Sequence, residues 1–293
     1  MDQTTPKTSP LRQRMIEDMH MRQLSAGTQR DYIRAVFEFT RFFGQSPDKA
    51  TAEDLRSYFL HRQDNGMTPA TQNAIASGLK FFFNVTLERH EVVRNLRHAP
   101  QPHRLPIILS REEVARLLGA TDSLKYKAAF AVAYGAGLRV SEVVNLKVSD
   151  IDSNRMILCV EQGKGRKDRY AKLSPVLLET LRNWWREGKA KNKVRDNGWL
   201  FPGMNPVNHL SSRQLARVCK LVAEEAGLDK KVTMHSLRHA YATHLLEDKV
   251  DIRVIQVLLG HSKIESTTRY TQVASKLLQE VTSPLDTLNP TTQ

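Results

Sequence analysis

The chain is poor in everything that would hold it outside a cell or in a membrane. Only two cysteines, Cys159 and Cys219, occur among 293 residues. They lie far apart between apolar or basic neighbours, which excludes a disulfide framework and a paired-cysteine metal knuckle and predicts a reducing cytoplasm. No apolar run approaches the roughly 20 residues of a membrane helix, and the opening MDQTTPKTSPLRQRM has no apolar core of signal-peptide length. The expected location is therefore the cytoplasm or nucleoid, without membrane attachment. Acidic side chains are also in deficit. Against 44 Lys and Arg stand 31 Asp and Glu, a net charge of +13, and the commonest physical use of such a surplus is attraction to a polyanion, nucleic acid first. Residues 1–100 hold 14 basic and 11 acidic side chains and so carry +3, which leaves +10 for the rest.

What is present sorts into two regions. Residues 1–10 are polar with two prolines and read as a disordered lead-in. From Thr28 a helical period places Ile33, Val36, Phe37, Thr40 and Phe43 on one stripe, stopped by Gly44 and Pro47. Thr51 and Asp54 open a second helix with Leu55, Tyr58 and Phe59, and Thr68-Pro69 opens a third through Ile75, Leu79 and the Phe81–Phe83 cluster. Residues 11–95 are thus expected to form a bundle of about four helices. The segment RNLRHAPQPHRLP has three prolines and no period, so a linker is placed at 96–108. Ser110 and Glu113 form a capping box that opens a second domain, 109–293. Alternation in LKVSDID, RMILCVEQ and DRYAKLS predicts three short strands with Gly163-Lys164-Gly165 as a hairpin turn, and helices follow from Pro175. The fold class expected is mainly α with a small antiparallel β-sheet.

In HSLRHAYATHLL, residues 235–246, Leu237, Ala240, Tyr241, His244 and Leu245 fall on one apolar stripe, while His235 and Arg238 share another face. His244 reads as a core histidine. Zinc is disfavoured for His235 and His239: an arginine stands between them and no nearby carboxylate or thiolate completes a shell. An arginine and a histidine projected together suit a phosphate better. A second arginine, Arg139 in GAGLRVSEVVNL, sits at a helix start where end amides favour an anion, although for this residue taken alone a salt bridge to Glu142 is the better reading. Lys164 between two glycines has reach and no packing role. In LGHSKIESTTRYTQV, residues 259–273, a histidine follows a Leu-Gly turn and an Arg-Tyr pair follows two threonines.

Taken together, the Arg of GLRxSE, a hairpin lysine, HxLRH, LGH and a tyrosine nine residues later resemble the tyrosine recombinase (phage integrase) family, in layout most like Xer-type and transposon- or integron-associated members. The resemblance covers nearly the whole chain. It implies a helical core-binding domain and a mixed helical catalytic domain that close on duplex DNA, with Arg139, Lys164, His235, Arg238, His261 and Tyr270 as catalytic residues, Tyr270 being the nucleophile. A free phenol has a pKa of about 10 and is a weak nucleophile, so two arginines, a lysine and two histidines are the cationic pocket such an attack needs. Lys164 is the expected general acid, Glu142 and His239 supporting residues, and Arg166, Lys167, Arg169 and Lys172 DNA contacts. Neither a metal nor another cofactor is expected. The resemblance further implies a 3′-phosphotyrosyl intermediate at DNA recombination sites and a tetramer on two sites, joined through residues 273–293. Two other functions stay open at this point, a type IB topoisomerase and a non-catalytic DNA-binding regulator of the same fold.

Overall fold

Helix starts fall where a short hydroxyl side chain precedes an apolar period. Ser9, Ser25, Thr51 and Thr68 each accept a hydrogen bond from a first-turn amide and so begin α1 (Pro10–Met21), α2 (Ala26–Phe43), α3 (Ala52–Asp64) and α4 (Pro69–Phe81). The computed structural model describes residues 9–101, 106–161, 168–260, 265–268 and 270, and its chain divides into two units, Met1–His103 and Arg104–Gln293.

In the first unit α4 runs on through a π-helical turn at Phe82–Thr86 to the single turn α5 (His90–Val93). Met15, Met19, Phe39, Tyr58, Leu79, Phe82 and Phe83 fill its core. The stripe expected on α2 is rotated. Ala35 and Phe39 are buried and Ile33, Val36 and Phe43 lie at the margin, whereas Phe37 is 59% exposed. Aromatic residues occur on two faces of this helix, so periodicity alone selects the wrong one.

The first helix of the second unit is capped by Ser110, whose hydroxyl accepts from Glu113 N at 3.2 Å while Glu113 accepts from Ser110 N at 2.7 Å. There follow α6 (Arg111–Gly119), α7 (Leu124–Gly135) and the short α8 (Val140–Val144). Three strands come next: β1 (Ile151–Asp152), β2 (Ile157–Val160) and β3 (Arg169–Lys172), antiparallel in that order, with Val160 opposite Arg169. The hairpin turn at 163–165 lies outside the described residues. The chain then forms α9 (Pro175–Ala190), α10 (Ser212–Glu225), α11 (Met234–Glu247), α12 (Ile252–Leu259) and α13 (Glu265–Thr268). Mostly helical with one small antiparallel sheet, the fold is of the class the sequence predicts. Helix α11 is buried on most of its circumference, which makes it the axis on which the site is built.

Candidate active site

Thr233 caps α11, its hydroxyl accepting from Ser236 N at 3.2 Å. The first turn places His235 at the surface, and one turn on Arg238 is only 2% exposed. A buried guanidinium needs acceptors. Arg238 Nη1 donates to Gly137 O at 2.6 Å and Nη2 to Leu259 O at 2.7 Å, and it lies 3.8 Å from Glu142 Oε2. Gly137 has φ +64°, and a Cβ there would come within 2.5 Å of the Tyr241 ring. Only glycine brings that carbonyl so close to α11.

Arg139 follows directly. Its Nη1 donates to Glu142 Oε1 at 2.6 Å, and its backbone amide donates to Glu142 Oε2 at 2.9 Å. The helix-start amide expected to await an anion is therefore occupied by the chain's own carboxylate. Arg169 Nη2 donates to the same Oε2 at 2.8 Å, so three guanidiniums gather around one carboxylate.

The same three arginines also meet the end of α12. Arg169 Nη1 donates to Leu258 O at 2.8 Å, Arg238 to Leu259 O, and Arg139 Nη2 reaches Gly260 O at 3.5 Å. These successive carbonyls form the negative end of the helix dipole, a fitting counterpart for positive charge. Gly260 closes α12 at φ +62°, and a Cβ on it would strike Arg169 Cδ at 2.5 Å.

The surroundings tune the charges. Burial, followed by the repulsion of Arg139, brings Arg238 down to about 10. Burial works to raise Glu142, but Arg169 and then the contacts of Arg139 prevail and hold its carboxyl below the usual range. Desolvation of the ring, with Arg238 and Arg139 beside it, pushes His235 down as well.

Tyr270 is 2% exposed and packs with Tyr241, Ile255 and Leu259. Its hydroxyl is 3.0 Å from His239 Nδ1, one residue beyond Arg238 on α11, and the His235 and His239 rings lie 6.0 Å apart.

Of the residues predicted from sequence, Arg139, Glu142, His235, Arg238, His239 and Tyr270 are thus neighbours. Lys164, Arg166, Lys167 and His261 lie outside the described residues. Lys172 is exposed on β3. Arg169 departs from its expected place on a DNA-tracking run: its side chain is 11% exposed and paired inward with Glu142. The reason is strand alternation. Residues 169 and 171 of β3 face inward, while Tyr170 and Lys172 face out. Applied to DRYAK, that alternation marks Arg169 as different from Lys172, whereas the row of α12 carbonyls leaves no local trace in the sequence.

Among the described residues no three His, Cys, Asp or Glu side chains gather as a metal ion would require, and no helix is long and apolar enough to cross a membrane. Cys159 and Cys219 are free thiols, the latter buried and pushed up to about 12.

Residues 108–276 match the phage integrase family, and residues 11–91 match the phage integrase N-terminal SAM-like domain. The chain belongs to the phage integrase family. It is 44% identical over 282 residues to y4qK of Sinorhizobium fredii, which carries an integrase/recombinase name, covering 96% of this chain and 90% of that protein. It is 34% identical to the tyrosine recombinase XerA of Pyrococcus furiosus, over 92% of this chain and 93% of that one. The structure of the XerH site-specific recombinase bound to a palindromic difH substrate shares the fold, with a TM-score of 0.70, 21% identity and coverage of 93% and 84% of the two chains. The protein is accordingly a tyrosine-type site-specific DNA recombinase.

Proposed function

We propose that Tyr270 attacks a DNA phosphodiester held by Arg139 and Arg238. The observation that carries this reading is the assembly of both arginines on Glu142 beside a tyrosine whose hydroxyl bonds the same helix. In the reaction a bond forms between Tyr270 Oη and phosphorus as the bond from phosphorus to the 5′ oxygen breaks. The 5′ oxygen takes a proton from Lys164, the general acid, and the phenolic proton has an imidazole nitrogen within reach at His239. His235 and His261 complete the cationic pocket around the non-bridging oxygens. The 3′-phosphotyrosyl bond keeps the energy of the phosphodiester, so a second 5′ hydroxyl can displace the tyrosine without ATP.

On this reading Arg166, Lys167 and Lys172 track DNA phosphates, residues 11–95 bind the duplex as a core-binding domain, and residues 273–293 join subunits into a tetramer on two sites. The work is done in the cytoplasm, on recombination sites of mobile or chromosomal DNA. Oligomerisation on DNA separates this reading from relaxation by a monomeric type IB topoisomerase.

The test begins with randomised duplexes from which the protein enriches its preferred sequence. That duplex, nicked so that the cleaved strand cannot be rejoined, is incubated with enzyme and run on a denaturing gel. A covalent protein–DNA band is expected with wild type and none with Tyr270→Phe. A band that persists in Tyr270→Phe sinks the assignment of the nucleophile.

A further inference from the structure

Glu142 has two oxygens and three arginine neighbours, so how they are shared decides what Arg139 can do. A guanidinium facing a carboxylate closes a bidentate pair wherever both oxygens are accessible. Here Arg139 has only Oε1, at 2.6 Å, because Oε2 is taken by Arg169 at 2.8 Å and by the amide of Arg139 itself. The second terminal nitrogen of Arg139 turns instead toward Gly260 O, at the long distance of 3.5 Å. That contact is weak enough to yield to a phosphate oxygen. Arg169 also spans from Glu142 to Leu258 O, so one side chain on β3 fixes both the orienting carboxylate and the last turn of α12, which leads directly into His261. Gly260 fits this role: in addition to its positive φ, it leaves the room through which Arg169 passes. Arg169 and Arg139 together favour the charged form of Glu142 against its burial, the charge of Arg169 being the largest single contribution.

We propose that Arg169 is a positioning residue of the recombinase. It occupies one oxygen of Glu142 and the end of α12, so that Arg139 presents its remaining donors to the scissile phosphate instead of closing on Glu142. A lysine cannot substitute, since one ammonium lacks the planar fork that serves a carboxylate and a carbonyl together. The inference rests on the proposed attack by Tyr270.

The test compares wild type, Arg169→Gln and Arg169→Lys on the selected nicked duplex with either a normal phosphate or a neutral methylphosphonate at the scissile position. At saturating DNA both variants should form adduct roughly 10- to 100-fold more slowly than wild type, by analogy with the loss of the outer partners that orient metal-binding side chains. DNA affinity and its salt dependence should stay within about two-fold of wild type, because the terminal nitrogens of Arg169 are engaged by Glu142 and Leu258 O. On the methylphosphonate, which needs less charge compensation, the deficit should shrink. In a Glu142→Gln background, adding Arg169→Gln should cost much less than it does alone.

An equal deficit on both substrates makes Arg169 a merely structural residue, and a smaller salt slope makes it a DNA contact. Either outcome overturns the proposal. Should Arg169→Gln fail to fold, Arg169→Lys alone decides between these outcomes. Wild type without an adduct at Tyr270 sinks the underlying reading, whereas an active wild type with an unaffected Arg169→Lys sinks this inference only.

Discussion

Helix α11 carries two histidine–tyrosine pairs of almost the same geometry and quite different character. Near its start His239 Nδ1 meets Tyr270 Oη at 3.0 Å, and near its end His244 Nδ1 meets Tyr134 Oη at 2.9 Å. Around the second pair charge is cancelled: Arg111 donates to Asp248 at 2.8 Å and reaches His244 O at 3.4 Å. Burial there pushes Tyr134 up and His244 down, so a neutral phenol faces a neutral imidazole. Around the first pair Arg139, Arg169 and Arg238 gather on one carboxylate, Glu142, so that among these four described side chains positive charge exceeds negative by two. A histidine within hydrogen-bond reach does not by itself make a tyrosine a nucleophile. On the proposed reading the gathered guanidiniums are what separates Tyr270 from Tyr134, because positive charge held in a fixed place lowers the energy of the developing oxyanions without reorganisation.

The widest way to break this contrast is to remove each hydroxyl in turn. Tyr270→Phe should lower covalent adduct formation by about 10⁴-fold or more, as losses of a nucleophile do. Tyr134→Phe should leave the adduct rate within about two-fold and lower stability by about 1 kcal/mol, the net value of one hydrogen bond. Equal losses of activity in the two variants would mean that the surplus charge does not distinguish the pairs. Next in size are the arginines. Arg238→Lys gives up the fork between Gly137 O and Leu259 O and should slow cleavage by roughly 10²-fold to 10³-fold at saturating DNA. Arg111→Lys, in a half-exposed pair, should change stability by less than about 1 kcal/mol and cleavage not at all, read by thermal melting and the same gel.

This contrast is only half legible in the sequence. The helices announce themselves through caps such as Ser110 with Glu113, and the core reading of His244 needs only the apolar stripe around it. The strands are readable from the β-branched Ile151, Ile157 and Val160 in the first two and from the alternation of outward Tyr170 and Lys172 with inward Arg169 and Ala171 in the third. The face of α2 is not, since Phe37 and Phe39 compete for the core and only packing against α3 and α4 chooses Phe39. Arg139 and Glu142 are three residues apart and their pairing is local, so the sequence suggests it. Arg169 meets Glu142 across 27 positions and Leu258 across 89, separations that no helical or strand period encodes. In a run of basic residues it therefore looks like one more DNA contact until the pleat of β3 turns it inward.

A subtler separation of the two pairs lies in pH. His244 has its pKa depressed below the usual value of about 6.5, first by burial and then by Arg111. The folded protein thus binds this proton less readily than the unfolded chain. The associated stability is complete above about pH 6.5 and is lost as pH falls through the interval down to the depressed folded value. His244→Gln keeps a hydrogen-bonding partner for Tyr134 and removes the titration. Its melting temperature should fall less between neutral and mildly acidic pH than that of wild type. An unchanged acid slope would place the pH sensitivity elsewhere, with His235, which is depressed in the same direction.

The smallest expected effect distinguishes two residues of one strand. Lys172 faces outward from β3 and Arg169 inward, only three positions away. If the outer face of β3 follows the DNA backbone, Lys172→Gln removes one phosphate contact. Affinity then falls modestly and about equally for all sequences, and the slope of log affinity against log salt becomes shallower by about one. The cleavage rate at saturating DNA should not change, because Lys172 does not touch the Glu142 cluster. Arg169→Lys should show the reverse, with an unchanged slope and a slower reaction. Binding titrations of both variants across a salt series therefore ask whether a single strand divides DNA grip from phosphate activation between its two faces. A slope that stays the same in Lys172→Gln would remove the outer face of β3 from the DNA-binding surface and leave the inner face as the strand's sole contribution.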